Sequence, residues 1–112
     1  MTTKFTIADL EARIKERASA SASAESSYTR QLLDRGIAQC AKKFGEEAIE
    51  AALAAVGEDR ERMIAEAADV FYHLLVLLES RGVTLAEVEA LLATRTKKSG
   101  LDEKASRKAT TK

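Results

Sequence analysis

From Ile37 to about Ser80 the sequence keeps a helical period with a single interruption, at Gly57. A run of that kind reads as two consecutive long helices whose apolar faces can pack together. Proline is absent from all 112 residues, so nothing breaks either helix from within. Ile37 to Val56 forms the first of the pair, about 30 Å long at helical rise. Gly57 ends it, and Glu58 and Asp59 then enrich the start of the next helix in acid, as the helix dipole favours. Ala, Leu, Glu, Lys and Arg are abundant and favour helix in the flanking segments too.

Upstream, Thr6 caps a helix in a box-like arrangement with Asp9, and Ile7, Leu10 and Ile14 form its apolar stripe. The Ser/Ala-rich stretch from Ser19 to Ser27 reads as a flexible loop. A short helix from about Tyr28 to Asp34 follows, with a break at Gly36. Downstream, Arg81-Gly82 stops the second long helix, and Thr84 with Glu87 caps a last one reaching about Thr94. The expected architecture is an all-α bundle of four main helices in one domain, residues 1–94, followed by a basic tail, 95–112.

Net charge is zero, yet residues 1–94 carry 11 basic and 16 acidic groups, and the tail carries 7 basic and 2 acidic. The acidic folded part and the scarcity of aromatics, 4%, argue against a nucleic-acid binder. No apolar run approaches the ~20 residues of a membrane span, and the N-terminus lacks the pattern of a signal peptide. A single cysteine, Cys40, excludes an internal disulfide and a Cys-rich zinc site and reads as a core filler. A cytoplasmic protein is expected.

The chemistry lies in the acids. Glu46-Glu47-x-x-Glu50 sits on the first long helix and Glu66-x-x-Asp69 on the second. Residues three apart stand about 60° from one another, so each pair forms one stripe. At about 100° per residue the first helix presents Ile37, Cys40, Ala41, Phe44, Ala48, Ala51, Ala52 and Ala55 as its apolar arc, with Lys43, Glu47 and Glu50 along one edge. Glu46 points further into solvent. The second presents Met63, Ala67, Val70, Phe71, Leu74, Leu77 and Leu78, with Glu66, Asp69 and His73 along one edge. When the two arcs pack, those edges can converge into one cleft. Two readings compete: a solvated face with an ordinary Lys43–Glu47 ion pair, or a site for a hard divalent cation, Mg²⁺ or alternatively Mn²⁺. His73 is either a hydrogen-bonded histidine at the edge of the core or a contact beside Glu66 and Asp69. From Val70 to Leu78, His73 is the only polar residue, and a helix apolar on most sides must be either central or shared with another subunit, a homodimer being the preferred explanation in so small a protein.

A cation held by clustered carboxylates attracts a polyphosphate, orients a water for attack on phosphorus and lowers that water's pKa. A carboxylate left over from coordination can accept the proton, and Lys43 is placed to neutralise phosphate charge.

Those acids, together with SYTRQLLDRG (27–36), KKFGEEAIE (42–50), EAADVFYHLLVLL (66–78) and the SGLDEKASRK tail (99–108), resemble the all-α MazG-like nucleotide pyrophosphohydrolases. The closer resemblance is to their phosphoribosyl-ATP pyrophosphatase branch, and it covers nearly the whole chain. It implies a MazG-like bundle completed by dimerisation and hydrolysis of the α–β phosphoanhydride of phosphoribosyl-ATP with Mg²⁺, giving phosphoribosyl-AMP and pyrophosphate in histidine biosynthesis. By position it implies Glu47, Glu50, Glu66 and Asp69 as metal ligands, with Glu46, Glu47 and Glu50 catalytic. Glu46 would orient a water or act at an interface. Lys43 would face the phosphates. Ser27, Tyr28 and Thr29 match a segment that approaches substrate, with a plain helix cap at Ser27 as the alternative. His73 joins them as a substrate contact, and Arg95, Lys104 and Arg107 match basic positions near the tail. The resemblance implies the stand-alone enzyme rather than a fusion with the next, zinc-binding cyclohydrolase. Two alternatives remain: a house-cleaning nucleoside triphosphate pyrophosphohydrolase on the same metal site, and a non-enzymatic helical interaction module.

Overall fold

A computed structural model describes residues 4–19 and 27–96, all of the regular structure among them being helix. Most of the Ser/Ala-rich stretch, and the tail beyond Thr96 with Lys104 and Arg107, lie outside the described residues. The helices are α1 (Ile7–Ala18), α2 (Tyr28–Asp34), α3 (Ile37–Val56), α4 (Arg60–Ser80) and α5 (Leu85–Arg95). Local chemistry sets their ends. Thr6 and Asp9 close a reciprocal capping box on α1, and Thr84 and Glu87 close another on α5, satisfying backbone groups that have no partner inside a helix. Ser27 and Asp59 cap α2 and α4 through their side chains. Gly36, at φ 97°, makes the sharp entry into α3 that a residue with a Cβ rarely adopts. Asp59 therefore precedes α4 as its cap, and Glu61 is the acid in its first turn.

α3 and α4 form a hairpin, which makes the most extensive helix contact among the described residues. α1 and α2 lie against α4, and α2 also touches α3. The core gathers Ile14 from α1, Leu32 from α2, Cys40 from α3, and Leu75 and Val76 from α4. Leu10, Leu33, Tyr72, Leu77, Leu78 and Leu85 pack around it. The Cys40 thiol donates to the Leu32 carbonyl oxygen at 3.3 Å, so the core-filling cysteine also ties α3 to α2. Across the surface, Lys15 pairs with Glu79 at 2.8 Å, and Glu11 accepts from the Leu85 N–H at 2.7 Å, fixing α1 to the end of α4 and the start of α5.

The buried faces of α3 and α4 are turned from the arcs read off the sequence. On α4, Val76 is fully enclosed and Tyr72 half-buried, although both lie off the expected arc, while Phe71, placed within it, is 48% exposed. One helix serves two partners here: α4 buries one side against α3 and another against α1 and α2, and no single arc describes both. On α3, Cys40 and Ala54 are buried and Ile37, Ala41, Ala52 and Ala55 are exposed. That turn carries Glu47 from the edge of the packing face into a half-buried position facing α4. It also leaves Ile49, Leu53 and Val56 uncovered on α3, and Ile64 and Phe71 uncovered on α4.

Candidate active site

The hairpin decides which acids meet. α3 and α4 run in opposite directions from the turn at Gly57, so positions about equally far from it stand level. Glu47 is level with Glu66, and Asp69 lies one turn further along the same face of α4 as Glu66. Carboxylate oxygens of Glu47, Glu66 and Asp69 all lie within 4.8 Å of one another. Opposite ligands of an octahedral Mg²⁺ stand about 4.1 Å apart, so small side-chain rotations suffice for the three to share one hard cation. Three anions at this separation repel, each pair by about 1 kcal/mol in water and up to about 4 at the lower effective dielectric near a protein. That is the donor chemistry of a divalent metal site rather than of a packed core.

Glu50, one turn beyond Glu47, is level with Arg62 instead. Its Oε1 lies 3.1 Å from Arg62 Nη2, and Arg62 Nε is 4.0 Å from Glu66 Oε2, so the guanidinium bridges Glu50 to the edge of the acid cluster. Glu46 is exposed, as its helical direction requires. Lys43 Nζ sits 3.6 Å from Glu46 and 3.7 Å from Glu47, at the opposite end of the cluster from Arg62. The field of Tyr28 above all, and then of Glu46 and Glu47, holds the Lys43 ammonium above its usual range, so it is a full cation at neutral pH.

The SYT segment and His73 meet through the Tyr28 ring. Ser27 is buried and caps α2, its hydroxyl accepting from the Arg30 N–H at 3.1 Å. Thr29, 4% exposed, is hydrogen-bonded to the Tyr72 hydroxyl across 43 residues of sequence. Tyr28 alone of the three is open to solvent, its ring stacked on Tyr72 at 6.3 Å between centroids. His73 is buried, edge-on to Tyr72 at 4.9 Å and to Tyr28 at 6.1 Å. Arg95 is the last residue of α5.

Sequence reasoning missed Arg62 and Tyr72. The spacing Arg62-x-x-x-Glu66 gave a signal for the first, together with the level of Arg62 opposite Glu50 in the hairpin. For Tyr72 there was none, because its partner lies on a distant helix.

Burial pushes the His73 imidazole below its ordinary range; Glu47 and Asp69 oppose that shift and Lys43 adds to it. The folded chain therefore binds a proton there less readily than the unfolded chain does. The stability due to neutral His73 is fully present above about pH 6.5, the ordinary histidine value, and is lost as pH falls from there towards the folded-state value. The melting temperature of the metal-free protein should decline from pH 7 to 5, and His73→Gln should flatten that decline. An equal slope in parent and variant would assign the acid sensitivity elsewhere.

Comparison with known proteins identifies the family. The phosphoribosyl-ATP pyrophosphohydrolase family model matches residues 7–96, which take in all five helices. The chain is 60% identical over 105 residues to phosphoribosyl-ATP pyrophosphatase 1 of Rhodopseudomonas palustris, covering 94% of this chain and 96% of the relative. It is likewise 60% identical to phosphoribosyl-ATP pyrophosphatase 1 of Bradyrhizobium diazoefficiens, over 94% of this chain and 97% of that protein. With phosphoribosyl-ATP pyrophosphatase of Methylobacterium nodulans the identity is 54%, over 95% of this chain and 97% of the relative. The match takes in every described helix and nearly the full length on both sides: the chain belongs to the phosphoribosyl-ATP pyrophosphohydrolase family.

Proposed function

We infer that the chain hydrolyses phosphoribosyl-ATP to phosphoribosyl-AMP and pyrophosphate, the second step of histidine biosynthesis. The observation that carries this reading is the convergence of Glu47, Glu66 and Asp69, with Lys43 beside them, in a chain matched over nearly its full length by proteins of that name. Glu47, Glu66 and Asp69 hold Mg²⁺, with Mn²⁺ able to replace it; all three offer hard oxygen ligands. Once bound, the cation polarises phosphate oxygens and lowers the pKa of a nucleophilic water.

The chain's own residues supply the remainder. Lys43 places a fixed positive charge where the phosphates approach and offsets charge developing on the bridging oxygen. Water attacks the α-phosphorus, the bond from that phosphorus to the α–β bridging oxygen breaks, and pyrophosphate leaves. Glu50, held by Arg62 outside the three-acid cluster, accepts the proton of the attacking water or closes on the cluster as a fourth ligand. Glu46, exposed beside Lys43, orients water at the rim. Tyr28, with Ser27 and Thr29 behind it, lines the approach for substrate together with His73, and Arg95 brings positive charge from the end of α5.

The active form is a homodimer. Ile49, Leu53 and Val56 make one apolar stripe on α3 on the side away from buried Cys40 and Ala54, and Ile64 and Phe71 add to the uncovered surface on α4. No described helix is long and apolar enough to cross a membrane; an ATP-derived substrate supports a cytoplasmic location. Pyrophosphate release from phosphoribosyl-ATP in Mg²⁺, abolished by chelation and restored by added Mg²⁺, is the expected result. Release that survives complete chelation would contradict the metal role, and no release at all would contradict the activity.

A further inference from the structure

We propose that Tyr72 is a positioning residue of this enzyme, its hydroxyl latching α2 to the metal-binding face of α4 through Thr29. The proposal rests on the pyrophosphohydrolase reading above and adds to it a residue that does not itself meet substrate.

The latch joins elements that sequence alone would leave independent. Tyr72 follows Asp69 by one helical turn on α4, so a group fixed to Tyr72 is fixed relative to the acid cluster. Thr29 lies in the first turn of α2 and is almost completely buried, and its hydroxyl has the Tyr72 hydroxyl as its partner. The Tyr72 ring lies between Tyr28, stacked on it at an interplanar angle of 18°, and His73, edge-on at 81°. The exposed Tyr28 ring, stacked on Tyr72, thus takes its position from it.

The two ends of α2 are held differently. Leu32 and its carbonyl, bound by Cys40, anchor the C-terminal half in the core. The first turn is held by the Ser27 cap, by Thr29–Tyr72 and by Arg30 Nη1, which donates to the Ser19 carbonyl oxygen at 2.6 Å. A seven-residue helix is too short to hold itself. Without the latch its first turn would loosen, and Tyr28 would lose its place against Tyr72 while Glu47, Glu66 and Asp69 kept theirs on α3 and α4. The consequence falls on substrate capture rather than on the chemical step.

Tyr72→Phe removes the hydroxyl and keeps the ring. The expected result is a KM raised about five- to tenfold, the size of one lost neutral hydrogen bond, with kcat within about twofold of the parent. Thr29→Val should raise KM by a similar factor, the double variant should add little to either single change, and Thr29→Ser, which keeps the hydroxyl, should restore the parent value. Hydrogen exchange with no substrate present gives an independent readout: amides from Tyr28 to Gln31 should exchange faster in Tyr72→Phe, with α3 and α4 as protected as before. Unchanged exchange in α2 would overturn the latch whatever the kinetics. A lowered melting temperature with parental KM would also overturn it, showing Tyr72 to be a packing residue only. Failure of the parent to release pyrophosphate would count against the activity and leave the exchange experiment as the test of the latch.

Discussion

Asp69→Asn should leave pyrophosphate release at least about a hundredfold below the parent while making the metal-free protein more stable, not less. The two effects share one cause. Asp69 is exposed at the mouth of the cluster, and its carboxylate lies within 4.8 Å of those of Glu47 and Glu66. Neutralising it removes two repulsive pairs, each of about 1 to 4 kcal/mol before screening by solvent and salt, and costs no packing. It also removes the anionic oxygen that an amide replaces poorly at Mg²⁺. Glu50→Gln should separate from it. Turnover should again collapse, but Glu50 is the partner of Arg62 rather than a member of the crowded cluster, so its neutralisation relieves no three-way repulsion and loses an exposed ion pair worth about 0 to 1 kcal/mol. Chemical denaturation of both variants without metal checks the contrast. A gain in stability for Glu50→Gln as large as that for Asp69→Asn would place all four acids in one cluster.

Leu53→Glu should convert the protein from dimer to monomer, weakening self-association by about a hundredfold or more. Leu53 stands in the middle of the Ile49–Leu53–Val56 stripe, and in a single chain it is 55% exposed, so a carboxylate there costs the monomer little. Across an interface the same carboxylate would be buried without a partner, which is among the more expensive changes a contact can suffer. Light scattering over a range of protein concentrations reads the outcome directly. A parent that stays monomeric at every concentration, or a variant that dimerises as tightly as the parent, would remove the uncovered face of α3 as the interface.

The helices were legible because their ends are written locally. Thr6 with Asp9, Thr84 with Glu87, and the glycines on either side of Ile37–Val56 each fix a boundary through groups a few residues apart. Their rotation was less legible. An arc drawn at 100° per residue assumes one partner per helix, and α4 has two, which is why Val76 is enclosed and Phe71 exposed. For the site, the residue types and their helices could be read, but the half-buried place of Glu47 could not, because it follows from the rotation of α3. Assigning Glu50 to Arg62 required the relative height of the two helices in the hairpin, which no single-helix projection contains. Thr29 and Tyr72 lie beyond any local rule, since their contact exists only once α2 has docked.

The most direct test of the central claim is the ratio of kcat/KM for phosphoribosyl-ATP to that for a panel of canonical and damaged nucleoside triphosphates, measured in Mg²⁺ with Asp69→Asn as the blank. A strong preference for phosphoribosyl-ATP, lost in the blank, is the expected result. Equal or better turnover of the panel would contradict it and make the same acids the centre of a house-cleaning pyrophosphohydrolase.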